Sequence, residues 1–138
     1  MRYFLALILS LVLTMPAAAQ TDEPIFKDYA DMRATLDGLI MSRDIADVMR
    51  AFGGADEMTE QELTGLQERV RRLFPQDFEH VDVMKIDEMG GGWRQELYVY
   101  WTGLRYLYVY VLLHDRGDGL IAVHFKFNTT FATLNELF

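Results

Sequence analysis

The sequence predicts an α+β fold in which N-terminal helices pack on one face of a curved four-stranded antiparallel sheet. Three observations predict it. From residue 24 to residue 74 apolar side chains recur every three or four positions, the spacing of helices with one buried face. From residue 78 to residue 128 the apolar period falls to two, as in strands with one buried face. The strand-like runs are joined by short glycine-bearing segments, which connect antiparallel neighbours rather than parallel ones. The chain of 138 residues has the size of one domain.

The first residues stand outside this pattern. Arg2 precedes Phe4–Leu13, a run that is apolar except for Ser10; Pro16 and Ala17-Ala18-Ala19 follow. A positive start, an apolar centre and small residues at the cleavage positions predict a secretory signal peptide over residues 1–19. An uncleaved anchor is the alternative, but Tyr3–Ala19 sits at the bottom of the spanning range and Pro16 shortens it. Residues 20–138 then form a single α+β domain: helical over 24–74, sheet over 78–128, and a short C-terminal helix over 130–138. The expected location is periplasmic or secreted.

Charge and cysteine content narrow the partners. The chain carries 13 Lys plus Arg against 21 Asp plus Glu, a net charge of -8, and cleavage after Ala19 removes only the cation Arg2. That balance argues against nucleic acid, whose phosphates need clustered cations, and favours solubility over binding to anionic membranes once the signal is cleaved. With no cysteine, the exported domain relies on its core rather than on disulfides, and no thiol is present to carry a lipid.

The elements follow in order. Thr21-Asp22-Glu23-Pro24 carries a helix-start pattern, with acids in the first turn and proline near the first helical position. Ile25, Phe26, Tyr29, Met32, Leu36, Leu39 and Ile40 make the first apolar stripe. Ile45, Val48, Met49 and Phe52 make a second, closed by Gly53-Gly54. Thr59 stands three residues before Glu62 as a capping box, and Leu63, Leu66, Val70, Leu73 and Phe74 run from it to Pro75. Arg69, Arg71 and Arg72 read as a solvated helix end whose cations complement the dipole. Strands are expected at Phe78–Asp87, Trp93–Trp101, Leu104–His114 and Leu120–Asn128, the first less regular than the others. Phe131, Leu134 and Leu137 suggest the closing helix. Asp115–Gly119 lacks the spacing and closing glutamate of a calcium loop and reads as a hairpin turn.

Five of the seven tyrosines lie between Tyr98 and Tyr110, so the register of that hairpin matters. A two-residue Thr102-Gly103 turn would mix tyrosines with aliphatic residues on each face. A three-residue Trp101-Thr102-Gly103 loop pairs Tyr98 with Tyr106 and separates them. A one-residue slip exchanges every side chain between faces, and the segregating register is expected. Ile121, Val123, Phe125 and Phe127 then join the aliphatic face, and Ala122, His124, Lys126 and Asn128 the tyrosine face. The expected interface is Tyr98, Tyr100, Tyr106, Tyr108, Tyr110 and His124, because contiguous aromatic surface marks contact. The bland reading is a solvated face of good strand formers.

Catalytic patterns are sparse. The sequence contains no Gly-x-Ser-x-Gly elbow, no cysteine nucleophile and no glycine loop followed by Lys-Ser or Lys-Thr. His80, His114 and His124 are the only imidazoles; His114 and His124 are expected about 13 Å apart, too far for one zinc. No catalytic residue, metal ligand or cofactor is assigned. His124 and Asp82 would serve acid–base chemistry only where a pocket shifts their pKa. The expected function is contact, non-enzymatic, with a second copy in a homodimer or with another envelope protein. The alternative is a periplasmic small-molecule binder or acid–base enzyme with a pocket between helices and sheet.

Helices followed by a long antiparallel meander, with Leu39–Met49 joining the first two helices around Asp44, resemble the nuclear transport factor 2-like superfamily, the cystatin-like cone that also holds ketosteroid-isomerase-like proteins. The resemblance spans Ile25 to Phe127. It implies a cone-shaped α+β fold and no particular activity, since such folds host isomerases, hydrolases, carriers and structural dimers.

Overall fold

The computed structural model describes residues 23–138; the signal peptide expected over residues 1–19 lies outside the described residues. The architecture is α+β, with helices against a curved, open antiparallel sheet. Its order is β1 (Ile25–Phe26), α1 (Tyr29–Met41), α2 (Ile45–Ala51), a 3₁₀ turn (Ala55–Glu57), α3 (Glu60–Leu73), β2 (His80–Gly90), β3 (Trp93–Thr102), β4 (Arg105–Asp115), β5 (Leu120–Asn128) and α4 (Phe131–Asn135).

The sheet has five strands rather than four, in the order β1-β5-β4-β3-β2. The extra strand comes from the segment expected to start the first helix. Ile25 pairs with Ile121 and Phe26 with Leu120, and the Ala122 amide donates to the Pro24 carbonyl at 2.8 Å. Phe26 thereby buries its ring against Phe52, 5.0 Å between centroids. The helix begins later, where Asp28 accepts from the Asp31 amide at 2.8 Å and caps α1.

The helical punctuation otherwise follows the chain. Gly53 adopts φ 82° just beyond α2, a conformation that stops a helix and suits glycine. Thr59 and Glu62 form the reciprocal capping box of α3. Met32, Leu36 and Ile40 of α1, Ile45 and Val48 of α2, and Leu63 and Val70 of α3 are buried and cover the sheet face that carries Leu107, Val109, Val111 and Leu113. Leu73, expected in the α3 stripe, points out and is 55% exposed.

The β3–β4 register differs from the expected one. Tyr98 pairs with Val109 and Tyr100 with Leu107, and the hairpin closes through Gly103-Leu104. Gly103 adopts φ 58°, which a glycine-first two-residue hairpin turn requires. Each face therefore mixes tyrosines with aliphatic residues. Segregation would have kept phenol groups out of the core, but in this fold the Tyr98 and Tyr100 hydroxyls donate hydrogen bonds to Glu96 and Asp37, which offsets the cost of burying them.

The β5 pattern is corrected in part. Phe125 and Phe127 lie on the helix side opposite Val111 and Val109. A bulge leaves Val123 unpaired between His124 and Ala122, so parity flips. Ala122 reaches the core at 2% exposure, whereas Ile121 stands opposite His114 on the outer face. On that outer face, Leu134 of α4 is buried with Leu97 and Tyr110 in a second, smaller core. Among the described residues, no helix is long and apolar enough to cross a membrane.

Candidate functional site

A network of polar side chains lies between α1 and β3. Glu96 has no exposed surface. Its Oε1 accepts from Tyr29 Oη at 2.9 Å and from Arg94 Nε and Nη2 at 3.1 and 2.7 Å; its Oε2 accepts from Tyr98 Oη. Arg94 also donates to Glu88 at 2.9 Å and lies over the Tyr29 ring, 5.0 Å from its centre. The chain of contacts continues along α1. Arg33 lies over the Tyr98 ring at 4.7 Å and donates to Asp37 at 3.0 Å, and Asp37 accepts from Tyr100 Oη at 2.7 Å.

Burial raises the pKa of Tyr98, and the hydrogen bond to Glu96 with its negative charge raises it further. Burial likewise raises Tyr100, helped by the charge of Asp37 and the hydrogen bond to it. Both phenols stay protonated donors. Glu96 is occupied by four donors, which fill its lone pairs, whereas part-exposed Asp37 accepts from two. At the open end of this chain of contacts lies a cavity of about 320 Å³. Tyr29, Trp93, Arg94 and Leu113 line it with Glu88 and Asp115.

The tyrosine face expected from the sequence is split between the two sides of the sheet. Tyr98 and Tyr100 are fully buried under α1. Tyr110 is buried on the other side, where its hydroxyl donates to Gln95 at 2.9 Å. Tyr108 is half-buried against Phe131. Only Tyr106 and His124 remain exposed. His124 stands opposite Leu112, two residues from His114 along the ladder rather than the four expected. Among the described residues no group of three His, Asp or Glu side chains could hold a metal ion.

A different surface is open. β2 is a free sheet edge of 11 residues, and Val83, Met84, Ile86 and Met89 on it are exposed. Apart from Asn135 of α4, which meets Lys85, the helices leave it open, and β1 occupies the opposite edge. Its register against β3 shifts between Val83 and Lys85 and again between Glu88 and Gly90, which leaves Lys85–Glu88 as a regular run between two bulges.

Sequence reasoning missed both features. A signal existed for each. Tyr29, Arg33 and Asp37 recur every four residues beside the apolar line of α1, which places three polar side chains on one strip facing the sheet. The irregular alternation of residues 78–87 marked the strand whose pairing is broken by a bulge. Comparison with protein families, curated proteins and solved structures gives no match.

Proposed function

We propose that this is an exported, non-enzymatic domain that acts through protein–protein contact, and that its working surface is the β2 side of the sheet. The observation that carries the reading is the long free edge with four exposed apolar side chains. An unpaired strand presents main-chain donors and acceptors to another chain, and proteins usually cover or blunt such edges. The buried Glu96 carboxylate, filled by four donors, supports a structural role for that part of the interior. Export rests on the pattern of residues 1–19. Membership of the nuclear transport factor 2-like superfamily is part of the same proposal, supported by helices preceding a curved meander and by the α1–α2 junction at Ser42–Asp44.

A photo-crosslinking residue placed at position 86 of the full chain, in its own host compartment, tests the contact. Adducts of defined mass are expected from position 86 and none from exposed position 61 on α3. Adducts from position 61 alone, or from neither, would overturn the reading.

One observation favours a second reading, a small-molecule binder. The 320 Å³ cavity places a guanidinium and a phenol on its wall, the kind of convergent polar groups a ligand site uses. Native mass spectrometry of protein taken from its own compartment would then show a retained ligand that Arg94→Met abolishes.

A further inference from the structure

We infer that the occupant of the β2 edge is a second copy of this chain, paired antiparallel about a two-fold axis at Ile86. This rests on the contact reading above and names its partner. Hydrogen-bonded and non-hydrogen-bonded pairs alternate along an antiparallel ladder. A two-fold axis normal to the sheet must therefore pass through one residue facing its own copy.

Charge decides among the choices. An axis at Lys85 sets Lys85 against Lys85 and Asp82 against Glu88. An axis at Asp87 sets Asp87 against itself. An axis at Met84 falls on a bulge and brings no opposite charges together. An axis at Ile86 sets Ile86 on Ile86, Met84 on Glu88, Val83 on Met89 and, twice, Lys85 on Asp87, the one choice that puts opposite charges face to face. Lys85 and Asp87 share the outer face with Leu97 and Gln95, their respective partners in β3.

Among the described residues neither charge meets an opposite one. Among the described residues Lys85 has no carboxylate partner; its ammonium donates to the Asn135 side-chain oxygen and lies 5.0 Å from the centre of the Phe138 ring. Asp87 accepts from Gln95 Nε2 at 3.0 Å and, among the described residues, has no cationic partner. The axis also falls inside Lys85–Glu88, the one regular run between the bulges. Two five-stranded sheets become one continuous sheet, and the short ladder makes a concentration-dependent dimer rather than a permanent one.

Sedimentation velocity on processed protein, purified from cells expressing the full chain, tests the register. Lys85→Asp and Asp87→Lys each turn two opposite-charge pairs into two like-charge pairs, which is expected to weaken self-association about tenfold. Mixing the two variants restores it, because one chain then carries carboxylates at positions 85 and 87 and the other ammonium groups at both. Circular dichroism confirms folding of each; should Lys85→Asp disturb the Phe138 contact, the exposed Asp87→Lys alone must still weaken the dimer.

A wild-type monomer at about 1 mM overturns the inference. So does a dimer indifferent to both charges, or two weakened variants that fail to rescue each other. Adducts at position 86 to a different protein, with a monomeric wild type, would leave the contact reading standing and remove the second copy.

Discussion

β2 and β3 are neighbours of nearly equal length joined by a two-glycine turn, and they occupy opposite environments. Gln95–Tyr100 of β3 is buried without interruption. On β2 every residue except Val81 and Lys85 is exposed. Composition does not explain this, since both strands mix apolar and charged side chains. Position does. β3 lies between two strands, with α1 against one face and α4 behind the other, whereas β2 has one strand neighbour and touches α4 only where Lys85 reaches Asn135. The same residue types therefore carry different work: Glu96 on β3 organises the interior, and Asp87 on β2 is left for contact. Perturbing β3 should cost stability, and perturbing β2 should cost association.

The largest expected effect is Glu96→Ala. It removes the acceptor shared by Tyr29, Tyr98 and Arg94 and leaves the buried Tyr98 hydroxyl unsatisfied, while Arg94 keeps Glu88, a loss of about 3 kcal/mol. Urea denaturation measures it; a loss below about 1 kcal/mol would mean that water replaces the carboxylate freely.

Next is Gly92→Ala in the turn that joins the two strands. Gly92 has φ 82°, and a Cβ there would collide with the Asp115 carbonyl oxygen. A loss of about 2 kcal/mol is expected from strain and displaced backbone, again from the urea midpoint. An unchanged midpoint would show that the hairpin end is loose.

Tyr100→Phe should cost about 1 kcal/mol through the hydrogen bond lost to Asp37. The pH dependence carries more information. A tyrosine in the unfolded chain ionises near pH 10, and Tyr98 and Tyr100 hold their protons more tightly when folded. Their stabilisation is complete below that pH and is lost as pH rises above it. Stability is thus expected to fall steeply above about pH 10, and the Tyr98→Phe, Tyr100→Phe double variant should flatten the fall. An equally steep fall in the double variant would assign the alkaline transition to other groups.

The smallest stability effect is expected on β2. Ile86→Lys alters a side chain that is 53% exposed, and its urea midpoint should move by no more than about 0.5 kcal/mol. The same variant should abolish adducts at neighbouring β2 positions and any self-association. A large loss of stability would show that β2 depends on Ile86 for its own packing and would weaken the contrast with β3.

Much of the fold could be read from the chain. The Thr59–Glu62 capping box, Gly53 beyond α2, the helix-to-sheet switch and the four expected strands follow local rules of spacing and turn chemistry. The candidate interface could not be read in the same way. Its six residues were grouped by a register that a single turn controls, and a shift of the turn from Trp101-Thr102-Gly103 to Gly103-Leu104 sent Tyr98 and Tyr100 to the core. β1 escaped notice because two residues carry no period, and Pro24 is as compatible with a strand end as with a helix start.

The sequence by itself determined the α+β class, the helix punctuation, the antiparallel hairpins and the expectation of export, because those depend on contacts within a few residues or on composition. Tertiary structure decided which strand is an edge, which tyrosines are buried and which carboxylates are paired. Those outcomes depend on which side chains meet across the sheet and under α1. Glu96 and Asp87 illustrate the difference. Both are strand carboxylates with apolar neighbours in sequence, and only the fold puts the first against Tyr29, Tyr98 and Arg94 and leaves the second at an open edge.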